Sequence, residues 1–295
     1  MTHGAPIEEV VTFRAGHALL WGILTRPAAG LAQSTTAVLV MVGGPQYRVG
    51  SHRQFVLLAR GLARHGFASL RFDCTGMGDS EGEARGFDSS GPDLHAALDA
   101  LCKACPALER VVVWGLCDAA SAALMFATSD PRVAGIVAAN PWARSDASLA
   151  AATVKHYYAS RVLEREFWLK LLRGRLDWRA SLGALAGNLK GARAHHRGQS
   201  DPRHADSFQT VMARGLASFN GRVLLILSGK DLTAKEFLQY ADSSAPWKGL
   251  LADPKVSRVD LPDADHTFSR RTWLNAVEDE TVAWLKRLGT RRVDA

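Results

Sequence analysis

A chain of 295 residues, 47% hydrophobic and 22% charged, has the apolar content for a sizeable core and the composition of a folded globular protein rather than a disordered or fibrous one. Its net charge of +7 comes from 36 basic and 29 acidic residues, but the segment between Pro141 and Phe219 alone holds 13 Lys and Arg against 6 Asp and Glu, a surplus equal to the whole imbalance. The charge is therefore local, and with no nucleic-acid module pattern in the chain it does not make a case for nucleic-acid binding. No run of about eighteen apolar residues predicts a membrane span. The N-terminal MTHGAPIEEVVTFRAG lacks the basic and apolar regions of a secretion signal, and four cysteines (Cys74, Cys102, Cys105, Cys117) do not make a disulfide framework, so the chain reads as cytoplasmic.

In chain order, IEEVVTFRA and HALLWGILTRP read as two opening strands and AVLVMVGG as a third. SHRQFVLLARGLARHG follows as an amphipathic helix, FASLRFD as a strand and GPDLHAALDALCKAC as a helix. RVVVWG is a strand, DAASAALMFATS a helix and RVAGIVAAN a strand. After Asn140 the alternation stops, and a helical, basic, aromatic segment runs through YYASRVLEREFWLKLLRGRLDW and SLGALAGNLKGARAHHRG. Strand and helix then resume in RVLLILSG, TAKEFLQYAD, KVSRVDLPD and RRTWLNAVEDETVAWLKRLG. Alternating strands and helices predict a mostly parallel, eight-stranded sheet covered by helices. Residues 1–140 and 220–295 form this core, with residues 141–219 inserted as a helical cap.

The chemistry is concentrated at three strand ends. In RVVVWGLCDAASAALMFA an apolar strand runs through Gly115-Leu116-Cys117-Asp118-Ala119 directly into a helix. Such a turn strains its central residue and lifts that side chain above the sheet, and the residues two before and two after must be tiny so that the backbones clear each other. Gly115 and Ala119 meet that need, although Ala stands where the G-x-S-x-G pattern has its second Gly, and Cys where it has Ser. A thiol at a helix N-terminus beside a histidine loses its proton more readily than a free thiol, so Cys117 is the expected nucleophile rather than a core cysteine. Asp231 follows a strand in LLILSGKDLTAKEF, where active sites of open parallel sheets gather, and is preferred over Asp253, Asp263 and Asp265 as the acid. His266, in the LPDADHTFSRRTW loop between the last strand and last helix, is the expected base among ten histidines. Asn140, at the end of an earlier strand, is a further candidate to assist.

Two backbone amides should hold a developing oxyanion: that of Asp118, next to the nucleophile, and that of Gly44 in the Gly43-Gly44-Pro45-Gln46 loop, since Pro45 has no N–H. Gln46, Arg48, Trp142, Tyr157 and Trp168 are candidate substrate-binding residues. Gly43-Gly44 lacks the ending of a P-loop, Gly76-Met77-Gly78 lacks dinucleotide spacing, and Cys102-x-x-Cys105 has no companion motif, so neither a cofactor nor a metal is expected.

Taken in order, these motifs, together with FDCTGMGDSEG, SGKDLT and DADHTF, resemble the α/β-hydrolase superfamily over nearly the whole chain outside the insert. More narrowly, VGGPQYRVGSHRQF with GLCDAAS is similar to the hydrolases associated with exosortase A systems in bacteria, which carry cysteine at the elbow. The resemblance implies an α/β-hydrolase fold and hydrolysis of esters, thioesters or amides. Cysteine at the elbow also occurs in polyhydroxyalkanoate synthases and some dienelactone-type hydrolases, and a thioester intermediate suits transfer to an alcohol or amine as well as to water. The basic, aromatic insert would suit a CoA-type or carrier-protein-bound acyl donor. A catalytically silent binding module is the reading from another class, motivated by Ala119 in the elbow.

Overall fold

The computed structural model describes residues 4–44, 46–143 and 207–290. Eight strands form one sheet: β1 (Ile7–Ala15), β2 (Ala18–Arg26), β3 (Thr36–Met41), β4 (Ser69–Phe72), β5 (Arg110–Leu116), β6 (Val133–Ala139), β7 (Arg222–Ser228) and β8 (Val256–Leu261). Their order across the sheet is β1-β2-β4-β3-β5-β6-β7-β8. The β1–β2 and β2–β4 pairs are antiparallel, and every later pairing is parallel. This is the α/β-hydrolase fold, with each strand where the hydrophobic runs place it.

Burial explains the runs. Every residue of β3 is buried, because helices cover both faces of a parallel sheet and a central strand has no wet side. Alternate residues divide between two cores: Ala37, Leu39 and Met41 face one, and Val38, Val40 and Val42 the other. On the first face lie α2 (Gly91–Ala104), α3 (Asp118–Phe126), α4 (Phe208–Ser218) and α5 (Leu232–Ser243). On the second lie α1 (Gln54–Arg64) and α6 (Arg271–Thr290), bringing Phe55, Leu58, Val277 and Leu285 onto the sheet. The edge strands, β1 mostly exposed and β8 half so, carry Glu8, Glu9, Arg258 and Asp260, charges that discourage edge-to-edge pairing.

The expected insert boundary moves. Helix α4 falls within the segment assigned to the cap, yet it belongs to the core, burying Met212, Ala213 and Leu216. It lies so close to α3 that a Cβ on Gly215 would approach the Leu124 carbonyl oxygen to 2.1 Å. Its apolar spacing resembles that of any surface helix, so local pattern could not tell a core helix from a cap helix. Residues 144–206, including Tyr157 and Trp168, lie outside the described residues.

A charge network fastens β1 to the sheet. Arg71 on β4 has a side chain only 6% exposed, and Arg71 and Arg60 both donate to Glu8. Burial works to raise the Glu8 carboxyl, but the two guanidinium groups outweigh it and hold the group below its ordinary value of 4.5. A depressed carboxylate contributes stability above its unfolded value that is lost as pH falls through its folded one. Glu8→Ala is expected to lower unfolding free energy by about 2–3 kcal/mol at pH 7, somewhat less than for a fully buried pair because Glu8 is partly exposed. Urea titrations at pH 7 and pH 3 should show the gap between wild type and variant closing at the lower pH.

Candidate active site

The sharpest local feature is Cys117 itself. It lies between β5 and α3 with φ 62° and ψ −123°, a conformation that costs a non-glycine residue about 1–3 kcal/mol. The approach of strand and helix explains its neighbours. A Cβ on Gly115 would come within 2.6 Å of the Ala119 carbonyl group, so only glycine fits there. Ala119 is itself buried, and one methyl group is accommodated. The elbow is pinned from the opposite side: Cys117 N–H donates to the Ala139 carbonyl (2.9 Å), and the Cys117 carbonyl accepts from Trp142 N–H (3.2 Å).

Asp231 and His266 meet. His266 Nδ1 lies 2.8 Å from Asp231 Oδ2, and the carboxylate, 5% exposed, is also the N-cap of α5, accepting from the amides of Thr233 (3.0 Å) and Ala234 (3.3 Å). Three donors and a helix N-terminus fix its orientation. The rivals are placed elsewhere: Asp263 pairs with Lys230 on the surface, and Asp265 accepts from Ser269. The imidazole is pushed up to about 10, first by its hydrogen bond to Asp231 and next by one to Cys117, with burial opposing. Hence Cys117, His266 and Asp231, drawn from three strand ends, form one connected line.

The oxyanion loop departs from expectation. Gly44 N–H donates to Asp118 Oδ2 at 2.7 Å, so the donor assigned to a developing charge is held by a carboxylate of the chain itself. Asp118 Oδ1 also accepts from Ala119 N–H (2.9 Å) at the start of α3. Burial pushes the Asp118 carboxyl above the usual range, against the pull of those two amides and of His266. The Asp118 amide stays at the first position of α3, as expected. Arg48 is engaged within the protein. Its guanidinium binds Asp73 and Asp79 and its amide donates to Asp73 Oδ1 (2.6 Å), which makes it a brace between the β3 and β4 loops. Gln46 accepts from Ser51 N–H (3.3 Å) within its own loop, and Trp142 meets the elbow through its backbone.

Sequence reasoning underrated the buried polar tie of Asn140 and missed Ser228; a polar residue closing an otherwise apolar strand was the available signal. Beside the loop lies a cavity of about 270 Å³ whose walls include Val42, Gly44, Cys74, Phe87, Asp118 and Ala119. Burial pushes the Cys74 thiol well up, which leaves it a poor nucleophile. Among the described residues no group of three or more His, Cys, Asp or Glu is arranged to hold a metal ion, and no helix is long and apolar enough to cross a membrane.

A parallel sheet, a strained residue at a strand-to-helix elbow and a histidine bound to a carboxylate at later strand ends define the hydrolase architecture. The chain belongs to the alpha/beta hydrolase family, whose model matches residues 38–282. Among solved structures it is similar to an esterase from Pyrococcus furiosus (17% identity, 96% of this chain and 93% of that one, TM-score 0.62). It is likewise similar to a dienelactone hydrolase from Anabaena variabilis (18% identity, 96% and 99%, TM-score 0.60). A third is an α/β serine hydrolase without lid from Xanthomonas campestris (14% identity, 97% and 96%, TM-score 0.58). No curated protein matches.

Two outcomes follow from the geometry. A Cβ on Gly43 would lie 1.9 Å from Asp118 Oδ1 and 2.6 Å from the Ala119 nitrogen, so Gly43→Ala should displace the loop and lower stability by about 1–3 kcal/mol, read from chemical denaturation. Because the His266 value is raised above 6.5, the stability from its ion pair is complete below that pH and lost as pH climbs through about 10. The melting-temperature gap between wild type and His266→Gln should be widest near pH 6 and narrow toward pH 10.

Proposed function

We propose that the chain is an acyl hydrolase for esters or thioesters, working through an acyl-cysteine intermediate on Cys117. The observation that carries this is the connected line from Asp231 through His266 to the strained residue at the elbow, which here is a cysteine. A histidine that holds its proton well above neutrality is suited to face a thiolate.

In this mechanism the Cys117 sulfur attacks the substrate carbonyl carbon, forming a C–S bond and a tetrahedral oxyanion. The Asp118 amide faces that charge, and the Gly44 amide joins it by exchanging the Asp118 carboxylate for the oxyanion. Collapse breaks the bond to the leaving alcohol or thiol, which takes the proton from His266. Neutral His266 then removes a proton from water as that water attacks the thioester, and collapse of the second tetrahedral species releases the acid and returns sulfur and imidazolium to their starting state. Asp231 orients the ring throughout and stabilises its charged form.

Transfer of the acyl group to an alcohol or amine is the second reading. It uses the same first half-reaction, and the basic surplus between Pro141 and Phe219 favours an anionic CoA-type or carrier-protein donor. The likeness to hydrolases of exosortase A systems belongs to this proposal and rests on GLCDAAS and the β3 loop. Four free thiols suit a reducing, cytoplasmic setting.

Intact-protein mass spectrometry after mixing with short acyl thioesters tests the proposal. The wild type should gain one acyl mass on the peptide containing Cys117, while Cys117→Ala should gain none and lose at least ~10³-fold in turnover. Turnover that survives Cys117→Ala would overturn the assignment. Release of acid alone in the presence of added alcohols and amines would decide for hydrolysis over transfer.

A further inference from the structure

The geometry points to Asn140, acting with Ser228, as the positioning pair that holds His266 in register with both its acid and its nucleophile; this rests on Cys117, His266 and Asp231 being the working triad. Asn140 follows β6 directly, is fully buried and has φ +43°, a left-handed conformation that asparagine tolerates better than most side chains. Its amide orientation is unambiguous. Oδ1 must face Ser228 N–H, an obligate donor at 2.8 Å, which turns Nδ2 toward Ser228 Oγ (2.9 Å) and the His266 carbonyl oxygen (3.1 Å).

Ser228 extends the chain of bonds, its hydroxyl donating to the Asp265 carbonyl at 2.9 Å. Two successive carbonyls of the histidine loop are thus gripped by side chains at the ends of β6 and β7. Ser228 also begins the turn that carries Asp231, whose own amide donates to the Ser228 carbonyl (3.3 Å). Gly229 and Lys230, between them, donate to the Leu261 and Ala264 carbonyls (2.9 and 3.0 Å). The acid turn and the base loop are therefore one hydrogen-bonded unit, with Asn140 at its buried end.

The same short segment reaches the nucleophile. Two residues past Asn140, Trp142 N–H donates to the Cys117 carbonyl, and Ser121 Oγ donates to the Trp142 carbonyl at 2.7 Å. Residues Asn140–Trp142 therefore bridge the elbow and the histidine loop. A buried amide brings a desolvation cost that an apolar residue would avoid, and here each of its bonds ends on a loop bearing a member of the triad. Asn140 touches no reacting atom. Its effect passes through His266, where a displacement of about 1 Å can cost about 10²-fold in rate.

Asn140→Ala and Ser228→Ala, compared with wild type and His266→Ala, test this through turnover of a p-nitrophenyl acyl ester and through alkylation of Cys117 by iodoacetamide, followed on its own peptide by mass spectrometry. Asn140→Ala is expected to lower kcat about 10²-fold with KM within about threefold, and to slow alkylation toward the His266→Ala rate. Ser228→Ala should move both readings in the same direction by less. A role confined to stability would lower the melting temperature and leave the His266-dependent alkylation rate of the folded protein unchanged. That result, with kcat within about twofold, overturns the inference; if Asn140→Ala does not fold, the same result in Ser228→Ala overturns it. Wild-type alkylation indifferent to His266→Ala would instead overturn the triad reading, and this inference with it.

Discussion

The bend at Cys117 governs the rest of the structure. One residue is held at φ 62° and ψ −123° where β5 turns into α3, and strain of that kind persists only where neighbouring structure over-determines it. The over-determination is visible on every side. Gly115 lets strand and helix approach, the Ala139 carbonyl takes the Cys117 amide, and Ser121 and Trp142 close around its carbonyl. Among the described residues the other non-glycine residues with positive φ belong to the same region of the fold: His52 and Arg53 lead into α1 after the β3 loop, Asn140 follows β6, and Phe268 lies two residues past His266. Backbone strain is gathered at the carboxyl ends of the parallel strands, where a site is built from loops on a rigid sheet.

Electrostatics follow from that framework. Asp231 is fixed by the amides at the start of α5 and faces His266, whose proton it helps to retain. Asp118 accepts the first amides of α3 and of the oxyanion loop, so one carboxylate stabilises the histidine while another occupies a donor that the proposed chemistry calls for. In the proposed mechanism the exchange of Gly44 from carboxylate to oxyanion is a step of its own, and it links the protonation and position of Asp118 to turnover. Arg48, drawn to Asp73 and Asp79, keeps the β3 and β4 loops together beneath this exchange.

Much of the candidate site was legible because it lies in short loops at strand ends. Tiny residues around Cys117, an aspartate after β7 and a histidine after β8 are local signals, each within a few residues of an apolar run. The Asn140 bonds were not legible, since they join residues 88 and 126 positions apart in the chain. The partner of Gly44, 74 residues away, was equally hidden. Residues 208–218, inside the bounds given to the insert, form a helix of the core, because the amphipathic stripe of a helix does not say which surface it will cover.

Sequence alone determined the order of strands and helices, the two-faced burial of the central strands and the sites where the chain must turn sharply, because hydrophobic period, glycine and proline act over a few residues. Tertiary structure alone decided that Arg48 and the Gly44 amide are engaged within the protein and that Asn140 reaches the histidine loop. Hydrogen bonds and ion pairs have a reach of about 3 Å, and only closure of the parallel sheet brings groups so distant along the chain within it.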